Sequence, residues 1–77
     1  MQTLDAFVTH DLWLAAYLRA HGVRLTGTTR EGARTIFAFA DPKRCEDLTF
    51  EYRSGGTVEV SRLRSVWQDL KDMVFER

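Results

Sequence analysis

Two histidines, a single cysteine and a scatter of basic side chains are the groups in this chain best equipped to ligate, attack or bind anions. His10 and His21 stand eleven positions apart. On one continuous helix they would share a face but sit about 16 Å apart along the axis, too far to hold one metal. We read both as surface or capping residues, and His21 suits the negative end of a helix. Cys45 has no second cysteine, which excludes a paired-cysteine zinc site and an internal disulfide. A nearby helix start could lower its thiol pKa. It falls on an apolar stripe, however, where a free cysteine acts as a small hydrophobe. The chain holds no Gly-x-Ser-x-Gly, no phosphate-binding glycine loop and no His-Glu-x-x-His. The expectation is a non-enzymatic protein without catalytic, cofactor or metal-binding residues.

Charge points the same way. Eleven basic side chains balance eleven acidic ones, so nothing resembles the excess that phosphate neutralisation demands. Glu46, Asp47 and Glu51 read as the solvated face of a helix. Asp69, Asp72 and Glu76 form an acidic strip toward the negative end of the last helix, which calls for a basic neighbour such as Arg24 or Arg34. Arg62 and Arg64 open that same helix, where cations oppose the dipole. With Lys43, Arg44 and Arg53 they make a candidate anion-binding set, the basis of an alternative reading as a small nucleic-acid-binding accessory protein. Pairing with Glu51 and Glu59, or plain exposure, is the simpler account.

The elements that would position these groups follow from local signals. Residues 33–40 read as an apolar strand running into Asp41-Pro42, with Asp41 as a side-chain N-cap and Pro42 at the first helical position. The helix then extends to Arg53 with a stripe of Cys45, Leu48, Thr49 and Tyr52, leaving Phe50 outside it. Ser54-Gly55-Gly56 stops it. Earlier in the chain, Thr9 is the expected cap of a first helix over residues 10–21, with Val8 and Trp13 as a hydrophobic staple and Gly22 as terminator. Residues 23–29 and 33–40 form a hairpin. A three-residue turn at Arg30-Glu31-Gly32 would set Leu25 opposite Phe37 and Val23 opposite Phe39, all on one face. Residues 57–60 alternate as a short third strand would. Ser61 then caps a last helix striped by Leu63, Val66, Trp67, Leu70, Met73 and Val74, with Phe75 off the stripe.

Seventy-seven residues make one domain, residues 1–77, and a chain so short buries only roughly 60% of its unfolded surface. Yet 44% of its residues are hydrophobic. The run from Leu12 to Leu18 points apolar side chains all around the first helix, which demands burial on several sides. From this we expect a homodimer, with Trp13, Leu14, Tyr17, Leu18, Phe50 and Phe75 as candidate self-association residues. The longest apolar run cannot span a bilayer. With one cysteine and no basic, apolar leader, the expected location is the cytoplasm.

Phe7-Val8-Thr9-His10-Asp11-Leu12-Trp13-Leu14-Ala15-Ala16-Tyr17-Leu18, then Phe37-Ala38-Phe39-Ala40-Asp41-Pro42, then Tyr52 and Leu70-Lys71, resemble a family of small bacterial proteins catalogued only as a domain of unknown function. The resemblance covers nearly the whole chain. It rests on caps, core residues and turns, so it implies a shared fold and a bacterial origin and transfers no catalytic residue. The expected architecture is α+β: helix, antiparallel β-hairpin, helix, room for a short third strand, and a C-terminal helix, with the helices on one sheet face.

Overall fold

The computed structural model describes residues 6–75, the side chain of Phe75 excepted. Within it, β1 (Phe7–Thr9), α1 (Leu12–Ala20), β2 (Leu25–Glu31), β3 (Arg34–Phe39), α2 (Pro42–Arg53) and α3 (Val60–Phe75) follow in chain order. The α+β class holds. The sheet is antiparallel in the order β1-β3-β2, and its third strand is β1 at the start of the chain. Residues 57–59 form no strand, and Val60 already opens α3. Phe7 pairs with Phe39 and Thr9 with Phe37, so β1 completes the central strand's second edge.

The hairpin closes differently from the three-residue reading. Glu31 pairs with Arg34, leaving the two-residue turn Gly32-Ala33. Gly32 has φ +62 and no other residue of the turn has positive φ, the requirement of a type II′ turn. Leu25 faces Phe39 rather than Phe37, and the register slips at Thr26, a bulge whose hydroxyl donates to Ala38 O at 3.1 Å. The extra residue brings Leu25 onto the face of Phe37 and Phe39, which are fully buried under the helices. Ile36 and Ala38 take the opposite face with the exposed Val8.

Both early caps depart from expectation. Asp11, not Thr9, caps α1: its carboxylate accepts from the amides of Trp13 at 3.0 Å and Leu14 at 3.2 Å. Thr9 is committed to the sheet, and its hydroxyl accepts from Asp11 N at 3.1 Å. His10 therefore lies outside the helix, exposed, and Val8 belongs to β1 rather than to a staple. At the other end Gly22 N donates to Arg19 O and Val23 N to Leu18 O, the paired bonds of a Schellman stop. Asp41 does precede Pro42, but in the left-handed conformation (φ 58, ψ 68) and without a side-chain cap bond. Only its carbonyl serves the helix, accepting from Cys45 N at 3.1 Å. Turning strand into helix with no loop requires that backbone, and it carries the carboxylate away from the first-turn amides.

α1 occupies the centre. Leu14, Ala15, Ala16, Tyr17, Leu18 and Ala20 are all buried, and all of these but Ala20 join one cluster with Phe37, Phe39, Cys45, Leu48 and Leu70. Trp13 apart, its apolar surface is thus covered by α2, α3 and the sheet of the same protomer. Leu14, Tyr17 and Leu18 are core residues and offer no surface to a second chain, a correction to the sequence reading. Removing one such leucine side chain typically costs about 2–5 kcal/mol.

Candidate functional site

Two hollows lie side by side over α1, and they share Tyr17 and Gly56. The first, about 250 Å³, is aromatic and apolar, walled by Trp13, Tyr17, Tyr52, Val58 and Leu63. Trp13 reaches it from the first turn of α1 and stacks on Trp67 of α3, ring centroids 3.9 Å apart and planes 5° from parallel. Stacking covers one indole face; Trp13 nonetheless remains 51% exposed. Val60, 70% exposed, continues the surface, because Val60, Leu63 and Trp67 fall on one face of α3 at helical spacing.

The second hollow, about 370 Å³, opens where α1 and α2 both end. His21 is the C-cap of α1 and Ser54 the C-cap of α2, and both line it. Phe50 stands at its rim, 73% exposed as its place off the stripe implied. His21 Nε2 lies 3.1 Å from Thr57 O; a carbonyl can only accept, so this nitrogen carries the hydrogen. The His21 ring also sits 4.4 Å from that of Tyr17, which in turn meets Tyr52 at 5.3 Å. The capping role expected of His21 is what it has.

Between the hollows lies an unusual group. The Tyr17 hydroxyl is buried and has no hydrogen-bond partner. Burial first, then the charge of Glu51, pushes its pKa above the ordinary 10.0. The Glu51 carboxylate acts on the phenol first through its charge and then as a nearby acceptor, although no hydrogen bond of good geometry joins the two. Gly56 is what allows the phenol to sit there. A Cβ at that position would collide with the Tyr17 hydroxyl and approach Glu51 O to 2.8 Å. In sequence Gly55-Gly56 reads as a helix breaker and Glu51 as a solvated carboxylate or an arginine's partner; their meeting with Tyr17 depends on folding.

The remaining candidates are dispersed. Lys43 pairs with Asp47 at 3.5 Å, both well exposed, and Arg44 donates to His21 O at 2.9 Å. Arg53 sits at the far end of α2, about 15 Å from Lys43 along the axis at 1.5 Å per residue. Arg62 and Arg64 are exposed in the first turn and a half of α3. Two of the five cations thus already have protein partners. Among the described residues no ion pair joins Asp69 or Asp72 to Arg24 or Arg34. Arg34 lies on the sheet face opposite the helices, and it is Arg30 that reaches α3, its guanidinium 3.5 Å from Val74 O. Glu76 and the Phe75 side chain lie outside the described residues. Cys45 is fully buried, its thiol 3.4 Å from Ala40 O. Burial, then Asp41, raises its pKa against a smaller opposing effect of Arg44, so the thiolate is disfavoured.

Among the described residues no cluster of three or more His, Cys, Asp or Glu could hold a metal ion, and no helix is long and apolar enough to cross a membrane. No curated protein and no solved structure matches the chain. A family model does, over residues 5–76, in keeping with the caps and core residues described above. The chain belongs to that family, the domain of unknown function DUF5659.

Proposed function

We propose that this protein is a non-enzymatic interaction module that pairs with a second copy of itself through the surface centred on Trp13. The observation that carries the reading is the half-exposed indole of Trp13, held rigid by its stack on Trp67. A self-complementary interface needs a projection and a recess on the same patch. Trp13 and the hollow walled by Tyr52, Val58 and Leu63 supply the two side by side. A standard interface covers about 800 Å² per partner, about a sixth of this protomer's 5093 Å². The contact therefore extends past the hollow to Val60 and the outer face of α3.

Nucleic acid is the weaker partner. Lys43 and Arg44 are occupied and Arg53 stands at the other end of α2, so the basic set supports no single anion site. A cytoplasmic setting suits a protein whose one cysteine is a buried thiol.

Sedimentation velocity across the micromolar range is the direct test. The expected result is a shift from the 8.9 kDa monomer toward twice that mass as concentration rises, with Trp13→Ala remaining monomeric. A wild-type protein that stays monomeric throughout would overturn the proposal.

A further inference from the structure

We infer that the hollow at the joined ends of α1 and α2 is a binding site for an alkylammonium group. Four observations converge on that chemistry. Two helix C-termini, at His21 and Ser54, point their negative dipole ends toward the same space, where a cation is favoured. Glu51 is the one acidic side chain lining it, and no lysine or arginine does. Arg44 meets the carbonyl of His21, and Arg53 is exposed in the last turn of α2, but neither forms part of the wall.

The third observation is aromatic. Phe50, exposed at the rim, offers a ring face to a cation and apolar surface to its alkyl chain. The fourth is the Tyr17 hydroxyl, buried and unpartnered between this hollow and its neighbour. Its oxygen has free lone pairs, and the wall must part slightly on binding for an ammonium N–H to use them. An anion would meet Glu51 and two negative helix ends; a neutral apolar ligand would leave the hydroxyl as isolated as before. An alcohol lacks the charge that Glu51 and the helix ends favour, and a carboxylate is repelled by them, so neither analogue replaces the alkylammonium. The site neighbours the Trp13 surface and does not depend on pairing of the protein.

The source of the group is either a free amine or a lysine side chain, and the test separates them. Amide shifts of the full chain are followed by NMR during titration with n-butylammonium chloride, with n-butanol and with sodium butyrate. The expected result is saturable movement of Phe50, Glu51, Gly55, Gly56 and Thr57 with n-butylammonium alone. N-acetyl-lysine methylamide is the second arm: binding there assigns the site to a protein lysine, and binding of n-butylammonium alone assigns it to a free amine. Glu51→Gln, at an exposed position that leaves the fold intact, should weaken n-butylammonium about ten-fold through loss of the carboxylate charge. Tyr17→Phe should weaken it several-fold while the rest of the spectrum persists. Equal shifts from n-butanol, no saturable shift with either amine, or undiminished affinity in Glu51→Gln would each overturn the assignment.

Discussion

Trp13 and Trp67 bring α1 and α3 together face to face, with 3.9 Å between ring centroids. The two truncations should separate what this stack does inside the protomer from what it presents outside. Aromatic pairs contribute about 0.5–1.5 kcal/mol beyond the area they bury. Trp13 is half exposed, so Trp13→Ala should cost about 1–2 kcal/mol in urea unfolding. Trp67 is more enclosed, and Trp67→Ala should cost about 3 kcal/mol. Equal losses would show that the two indoles are not buried as described.

Gly56 and Tyr17 form the second pair to separate. Gly56→Ala forces a methyl group toward the Tyr17 hydroxyl and the Glu51 carbonyl, and should destabilise by about 1–3 kcal/mol. Tyr17→Phe deletes a buried hydroxyl without a partner, so stability should rise by about 1 kcal/mol. In the double variant the phenylalanine relieves part of the collision, and a coupling of about 1 kcal/mol is expected from the thermodynamic cycle. Strict additivity would mean that the methyl group clashes with backbone alone.

Two aspartates at helix starts should respond in opposite directions. Asp11→Ala removes an acceptor from two amides and should cost about 1 kcal/mol. Asp41 makes no such bond and holds a left-handed backbone, so Asp41→Gly should stabilise by about 0.5–1 kcal/mol. Thermal denaturation of both variants at one pH checks the pair. A loss of stability in Asp41→Gly would contradict the cap geometry.

Alkali supplies a further check. The pKa values of Tyr17 and Cys45 both lie above their ordinary 10.0 and 9.0, so the folded state holds these protons more tightly than the unfolded chain. Their contribution is complete below pH 9.0 and is lost as pH climbs through the folded values. Melting temperature should therefore fall above that pH, and less steeply in a Tyr17→Phe, Cys45→Ala double variant. In the native state the Cys45 thiol should react with an alkylating reagent only at the rate of unfolding.

How far this molecule could be read in advance depended on whether each signal was local. The bounds of α2 were legible because Pro42 starts it and Ser54-Gly55-Gly56 ends it, each acting on its own neighbours. The exposure of Phe50 and the burial of Cys45 followed from the stripe of the same helix. The hairpin register was not legible. Gly32 suits either turn, and the choice falls to Leu25 and Phe7 meeting Phe39 across three strands. The bulge at Thr26 also breaks the two-residue period on which register arguments rest. β1 is three residues long, too short to show a period, and its partner lies some thirty positions away. The site was hidden for a related reason: Tyr17, Glu51 and Gly56 are ordinary residues until α2 and its following turn fold over α1.

The slip at Thr26 also shapes the open edge of the sheet. β2 is an outer strand of seven residues, nearly all facing water, and such a margin is a template on which further strands can be laid. Deleting Thr26 would preserve the match of Leu25 with Phe39 while straightening that margin into an unbroken ladder. The hairpin carries one residue more than its own pairing uses, and a surplus of that kind twists an open edge away from a neighbouring strand.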